Sequence, residues 1–98
     1  MITEIARIEV TPGNEDDFEH AVAQALPLIR TASGCLGVRV VRSTERPERY
    51  RLLVDWETIE HHTQTFRSSD SFDRWRELTS AYYAAPPVVE HVYDLPLS

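Results

Sequence analysis

Residues 2–10, ITEIARIEV, alternate with a period of two. Ile2, Glu4, Ala6, Ile8 and Val10 share one side, and Thr3, Ile5, Arg7 and Glu9 share the other, which predicts a first strand. Thr11-Pro12-Gly13-Asn14 has turn chemistry. Asn14 is placed to cap a helix whose first turn carries Glu15, Asp16 and Asp17 at the end where the helix dipole favours acids. That helix is expected to run to about Ala32, with Phe18, Val22, Ala25, Leu26 and Ile29 as its buried stripe. Pro27 interrupts the pattern, lacks an N–H and clashes with the preceding turn, so a kink or a tightened last turn is expected near residues 23–27.

Residues 35–43, CLGVRVVRS, and 49–57, RYRLLVDWE, read as two strands of a hairpin joined by a charged, proline-containing turn. Tyr50, Leu52, Val54 and Trp56 share the face expected to be buried. From Thr58 the period becomes helical, with Ile59, His62 and Phe66 on one stripe. Ser68-Ser69-Asp70 then breaks the helix and recaps a second segment carrying Phe72, Trp75, Leu78, Thr79 and Tyr82. After Pro86-Pro87, VVEHVYDL reads as a last strand.

The order β-α-β-β-α-β predicts a single domain over residues 1–98 with an α+β, ferredoxin-like sandwich: one antiparallel sheet with helices on one side. By alternation the uncovered side would carry Ile5, Val41, Leu53, Val89, Tyr93 and Leu95. An apolar patch of that extent usually marks an interface, so a homodimer packed sheet to sheet is expected.

Composition narrows the function classes. The chain has 16 acidic against 10 basic residues, a formal net charge of -6, so nucleic acid is not an expected partner. All ten basic residues are arginines. Cys35 is the only cysteine, the first residues lack the form of a signal segment, and no apolar run approaches the roughly 20 residues that cross a bilayer. A cytoplasmic location and no membrane partner are expected. The three glycines form no phosphate-cradling loop, which disfavours nucleotide cofactors.

The chemistry-bearing candidates are histidines and aromatics. His20 falls on the outer face of the first helix and is assigned no role. His61 and His62 diverge by about 100° on a helix, so they do not enter one site. His62 shares the buried stripe and is the inward candidate; His61 shares its side with Glu57, and that pair lacks a third ligand, so no metal site is expected. A half-buried histidine bonded to backbone is the plainer reading of His62. Alternation places His91 with Val89 and Tyr93 on the side a partner chain would meet, without an acid on the same face; it is a secondary contact candidate. Trp56, Phe66, Phe72, Trp75, Tyr82 and Tyr83 cluster around the strand-to-helix corner, either as core or as the wall of a cavity for a flat apolar ligand.

The stretch GCLGVRVVRSTERPERYRLLVDWETIEHHTQTFRSSDSFDRW, followed by APPVVEHVY, resembles the antibiotic biosynthesis monooxygenase domain over nearly the whole chain. The resemblance rests on Gly34-Cys35, Arg42 and Pro47 around the hairpin, Trp56 closing the third strand, the His62 to Phe66 helix and the Pro87 to His91 ending. It implies a dimeric α+β barrel and, as in characterised relatives, cofactor-free oxygenation of polycyclic phenols to quinones. Haem-degrading relatives use a first-strand asparagine, a tryptophan and a later helical histidine. Only Trp56 matches these, so no cofactor is expected. For oxygenation, His62 would act as base, with Trp56 and Tyr82 also in the catalytic set. Phe66, Trp75, Arg7 and His91 would contact an aromatic substrate. The alternatives on the same scaffold are a ligand-binding or accessory protein without chemistry, and a polyketide cyclase-like enzyme.

Overall fold

A computed structural model describes residues 1–97. Strand β1 (Ile2–Glu9) leads to helix α1 (Glu15–Arg30), then to the hairpin β2 (Cys35–Arg42) and β3 (Arg49–Trp56). A π-helical turn over His61–Phe66, helix α2 (Asp70–Thr79) and a 3-10 turn over Ser80–Tyr82 precede β4 (Val88–Val92). The four strands form one antiparallel sheet in the order β2-β3-β1-β4, with both helices on one face. This is the ferredoxin-like α+β arrangement that the order of elements predicts.

The period-two patterns act as expected in β1 and β3. Ala6, Ile8, Tyr50, Leu52, Val54 and Trp56 are buried against Phe18, Val22, Ala25 and Ile29 of α1. In β2 a bulge at Leu36 resets the register, so that Cys35 faces Trp56 while Gly37 faces Asp55. Leu36 is pushed into solvent, and Val38 and Val40 turn onto the core side.

Several local expectations change. The Asn14 side chain makes no capping bond; the neighbouring Gly13 N–H instead donates to the Glu15 carboxylate at 2.8 Å. Helix α1 continues through Pro27 to Arg30, because the proline sits in the last turn on the exposed side, where one missing bond costs little. Ser69 does recap the second helix, accepting from the Phe72 N–H at 3.2 Å.

The helical stretch after β3 is wound as a π turn. The Arg67 N–H donates to the carbonyl of His62, five residues back, at 3.2 Å. His62 and Phe66 are buried while Ile59 points out, so only two of the three positions expected on that stripe reach the core.

Strand β4 is out of phase with the alternation read from sequence. Its register sets Val89 opposite Ala6 and His91 opposite Glu4, so both face the helices, and Val88, Glu90 and Val92 take the outer face. Tyr93 and Leu95 follow the end of the strand and are exposed, without a place in the sheet. Ile5, Val41 and Leu53 do lie on the outer face, beside Arg7 and Arg51.

Two joints fix the corners of the site. Gly34 has φ +81°, and a Cβ there would lie 2.3 Å from ring carbons of His61; its carbonyl also accepts from the Glu57 N–H at 2.8 Å. Glycine is therefore required both by conformation and by the close approach of the segment after β3. At the other end, Thr11 N–H donates to the Tyr82 carbonyl at 2.9 Å and Ala84 N–H to the Glu9 carbonyl at 2.8 Å, so the chain leaving α2 is tied to the end of β1.

Candidate functional site

A cavity of about 380 Å³ opens between the sheet and α2. Ala6, Ile8 and Leu52 of the sheet, with Phe72 and Trp75 of α2, form its apolar body. Tyr83 lines it too, its hydroxyl hydrogen-bonded to the Thr79 hydroxyl at 2.8 Å. Glu4 and His62 form its polar wall, and Arg67, Arg76, Pro86 and Pro87 also border it.

The polar wall is built by three elements. Glu4 interrupts the apolar face of β1, and it is only 5% exposed. Its Oε1 accepts from the Trp56 indole N–H at 3.0 Å and lies 3.3 Å from Nε2 of His62. The π turn brings His62 over the Trp56 ring, nearly parallel at a centroid separation of 5.6 Å. From β4, His91 meets the other side of His62, with Nε2 2.8 Å from His62 Nδ1. One of these two nitrogens must carry the hydrogen and the other must be bare. A carboxyl, two imidazoles and an indole thus form one connected array.

Burial decides the protonation of this array. Removal from water raises the Glu4 pKa, an effect opposed by the hydrogen bond from Trp56 and the charge of Arg67. Burial also brings the His62 pKa down to about 4, with the charges of Arg67 and His91 acting in the same direction. The Glu4 to His62 distance would suit an ion pair, but both shifts favour the uncharged forms. His62 is therefore neutral at pH 7, and Glu4 is a stronger proton acceptor than an ordinary exposed carboxylate.

The structure distributes the sequence candidates unevenly. His62 and Trp75 line the cavity. Trp56, fully buried, and Phe66 stand behind His62, their rings 5.5 Å apart, and do not border the cavity. His91 joins through His62 rather than through the outer face, and the acid missing from its expected face is Glu4, directly across the strand pair. Tyr82 is displaced by its neighbour: the 3-10 turn puts Tyr83 on the cavity and leaves Tyr82 packed on the edge of the core. Arg7 lies on the opposite face of the sheet, paired with Arg51 and Val88 across the strands, and does not reach the cavity.

Glu4 is the residue that sequence reasoning passed over. Its signal was present: a carboxylate within an otherwise apolar strand face is costly unless something pairs with it. His61, by contrast, stays outside, bonded to the Thr58 hydroxyl at 2.7 Å and 3.9 Å from Glu57. Among the described residues no group of three or more potential metal ligands comes together, and no helix is long and apolar enough to cross a membrane.

Comparison with known proteins places this architecture. The uncharacterized protein YczJ of Bacillus subtilis (strain 168) is 37% identical over 95 residues, covering 97% of this chain and all of its own. The crystal structure of a Bordetella bronchiseptica protein described as an antibiotic biosynthesis monooxygenase shares 51% identity with a TM-score of 0.93 and 96% coverage of each chain. A Nitrosomonas europaea protein of the same description superposes with a TM-score of 0.83 at 17% identity, covering 97% of this chain and 99% of its own, a likeness of fold alone. The sequence profile of antibiotic biosynthesis monooxygenases matches residues 1–78, which run from β1 to the penultimate residue of α2 and hold the site residues from Glu4 to Arg76; Ser80, Tyr83, Pro86, Pro87, Val89 and His91 lie beyond it. The chain belongs to the antibiotic biosynthesis monooxygenase family.

Proposed function

We propose that the cavity binds a flat phenolic aromatic molecule and that the protein oxygenates it without a bound cofactor. The observation that carries this reading is the buried Glu4 and His62 pair opening onto a cavity whose body is apolar. The phenol would give its proton to this pair, Glu4 being the stronger acceptor of the two. The phenolate would then pass one electron to dioxygen, and the two radicals would combine to form a carbon–oxygen bond. Cleavage of the resulting peroxide O–O bond, with loss of water, leaves a quinone. One oxygen atom enters the product and the other leaves as water, so substrate supplies all the electrons.

Within this reading Phe72 and Trp75 of α2 hold the ring against Ala6, Ile8 and Leu52 of the sheet, Tyr83 positions it, and the apolar walls keep water from the radical pair. Trp56, Phe66 and His91 hold His62 in place from behind. Oxygen consumption with a panel of polycyclic phenols and hydroquinones tests the proposal, with quinone identified by mass spectrometry. Uptake that is lost in Glu4→Gln supports it. Tight binding without uptake assigns the protein to ligand binding instead, and a product of unchanged oxidation state assigns it to cyclase or isomerase chemistry.

We also propose that the chain acts as a homodimer joined sheet to sheet. In one copy Ile5, Leu53, Val88 and Val92 lie on a face that no helix covers. The buried Arg7 Nε on that face has no hydrogen-bond partner among the described residues, with the Glu9 carboxylate 3.7 Å away. A second copy would cover the apolar residues and supply an acceptor.

A further inference from the structure

We propose that the ligand of this cavity carries an oxyanion, a carboxylate or phosphate group, at the end that faces the opening, and that Arg67 and Arg76 hold it. The inference rests on the cavity being the ligand site; it does not require that oxygenation follow. The two arginines come from different elements. Arg67 follows the π turn and Arg76 projects from α2, yet both line the same cavity, and both are exposed to solvent.

Four arginines of this acidic chain (Arg7, Arg42, Arg49 and Arg74) spend their charge on Glu9, Glu19 or Glu77. Arg67 and Arg76 make no ion pair among the described residues. Other arginines are also unpaired, but none of them borders this cavity. Asp73 and Glu77 share a shallow depression with Arg76 on the outer side of α2, where Arg74 already holds Glu77 at 3.1 Å. Arg76 is also steadied inward, its guanidinium carbon 5.8 Å from the centre of the Phe72 ring.

The rest of the rim sharpens the assignment. Pro86 and Pro87 have no N–H to offer, so the donors at the rim lie on the arginine side, where Ser80 adds a hydroxyl. Arg67 also acts on the buried pair: its charge lowers the pKa values of both Glu4 and His62. The cavity therefore joins a buried proton-accepting pair, an apolar body and two exposed guanidiniums. A flat molecule that carries both a hydroxyl and an anionic group matches this set of surfaces. Forked guanidiniums suit planar or tetrahedral oxyanions through paired N–H donation.

The test uses three probes of one shape: a hydroxynaphthoate, its uncharged carboxamide and a naphthyl phosphate, titrated against the full chain at low and high salt. An anionic probe is expected to bind about tenfold or more tightly than the carboxamide, with the gap narrowing as salt rises. The carboxylate and phosphate arms tell which oxyanion is preferred. Arg67→Gln and Arg76→Gln should each weaken the anion and leave the carboxamide unchanged, while Arg74→Gln, away from the opening, alters neither. Equal affinity for charged and uncharged probes, or a preference that survives the double Arg67→Gln, Arg76→Gln variant, overturns the proposal while leaving the cavity as a ligand site. Failure of all three probes to bind removes the ligand-site reading and this proposal with it.

Discussion

Glu4 of β1 lies directly across the strand pair from His91 of β4, and His62, arriving from the opposite layer, touches both. A two-strand register and one helical turn therefore converge on a single imidazole. Replacing Glu4 separates its chemistry from its shape. Glu4→Gln keeps the bond from Trp56 and removes the proton acceptor; turnover of an oxidisable phenol should fall by a factor on the order of 10²–10⁴, the usual contribution of a positioned acid–base group. Ligand affinity should change far less. Unaltered turnover would move the base elsewhere.

Stability should depend on acid through His62. Because the His62 pKa is brought down to about 4 in the native state, the unfolded chain takes up a proton on this imidazole as pH falls below the ordinary histidine value near 6.5, before the folded chain does. The unfolded state then holds more protons, so stability rises with pH across roughly 4 to 6.5 and is lost as pH falls through that range. Glu4 opposes this: its raised pKa makes the folded state retain a proton longer, a contribution lost as pH rises above its ordinary 4.5. Urea unfolding of wild type and His62→Gln at several pH values should show the acid-side slope reduced in the variant, by at most about 1.4 kcal/mol per pH unit.

Trp56 acts as a donor as well as a core ring. Trp56→Phe keeps most of the buried area but leaves the Glu4 carboxylate without its 3.0 Å partner. A cost of about 1–3 kcal/mol in denaturant unfolding is expected. Because that hydrogen bond lowers the Glu4 pKa, its loss should also move the acid limb of any activity profile to higher pH.

Gly34 makes a purely steric prediction. Gly34→Ala would drive a methyl group into the His61 ring and hold alanine at a positive φ. Thermal unfolding should show a loss of at least about 1–3 kcal/mol, while Gly13→Ala, also at positive φ but with open space around it, should cost less.

The uncovered sheet face is tested by charge. Ile5 and Leu53 pair across β1 and β3 on that face. The double variant Ile5→Arg, Leu53→Arg should halve the mass measured by light scattering, with far-ultraviolet circular dichroism retained. A wild-type mass of one chain at micromolar concentration would refute the dimer.

Sequence alone carried the order of elements, the sheet and the inward turn of His62, because β1, β3 and the 62-to-66 spacing follow clean periods. It misplaced β4 since a strand's faces depend on a single residue of phase, and nothing in VVEHVYDL fixes which valine starts the pairing. That slip hid the contact between His91 and His62. Tyr83 rather than Tyr82 reached the cavity because α2 tightens into a 3-10 turn before either tyrosine, a change that composition does not announce. Arg7 was assigned to the ligand against its own alternation, which already set it opposite Glu4.

The π turn has a consequence for comparing chains of this kind. It fits one more residue between backbone partners than a regular helix does, and that widened winding is what carries both His62 and Phe66 to Trp56. A homologous chain could retain every aromatic and histidine yet have one residue fewer between Trp56 and Trp75, and its imidazole would then face a different direction. Segment length, more than residue identity, is the measure by which chains sharing this site should be told from chains sharing only the scaffold.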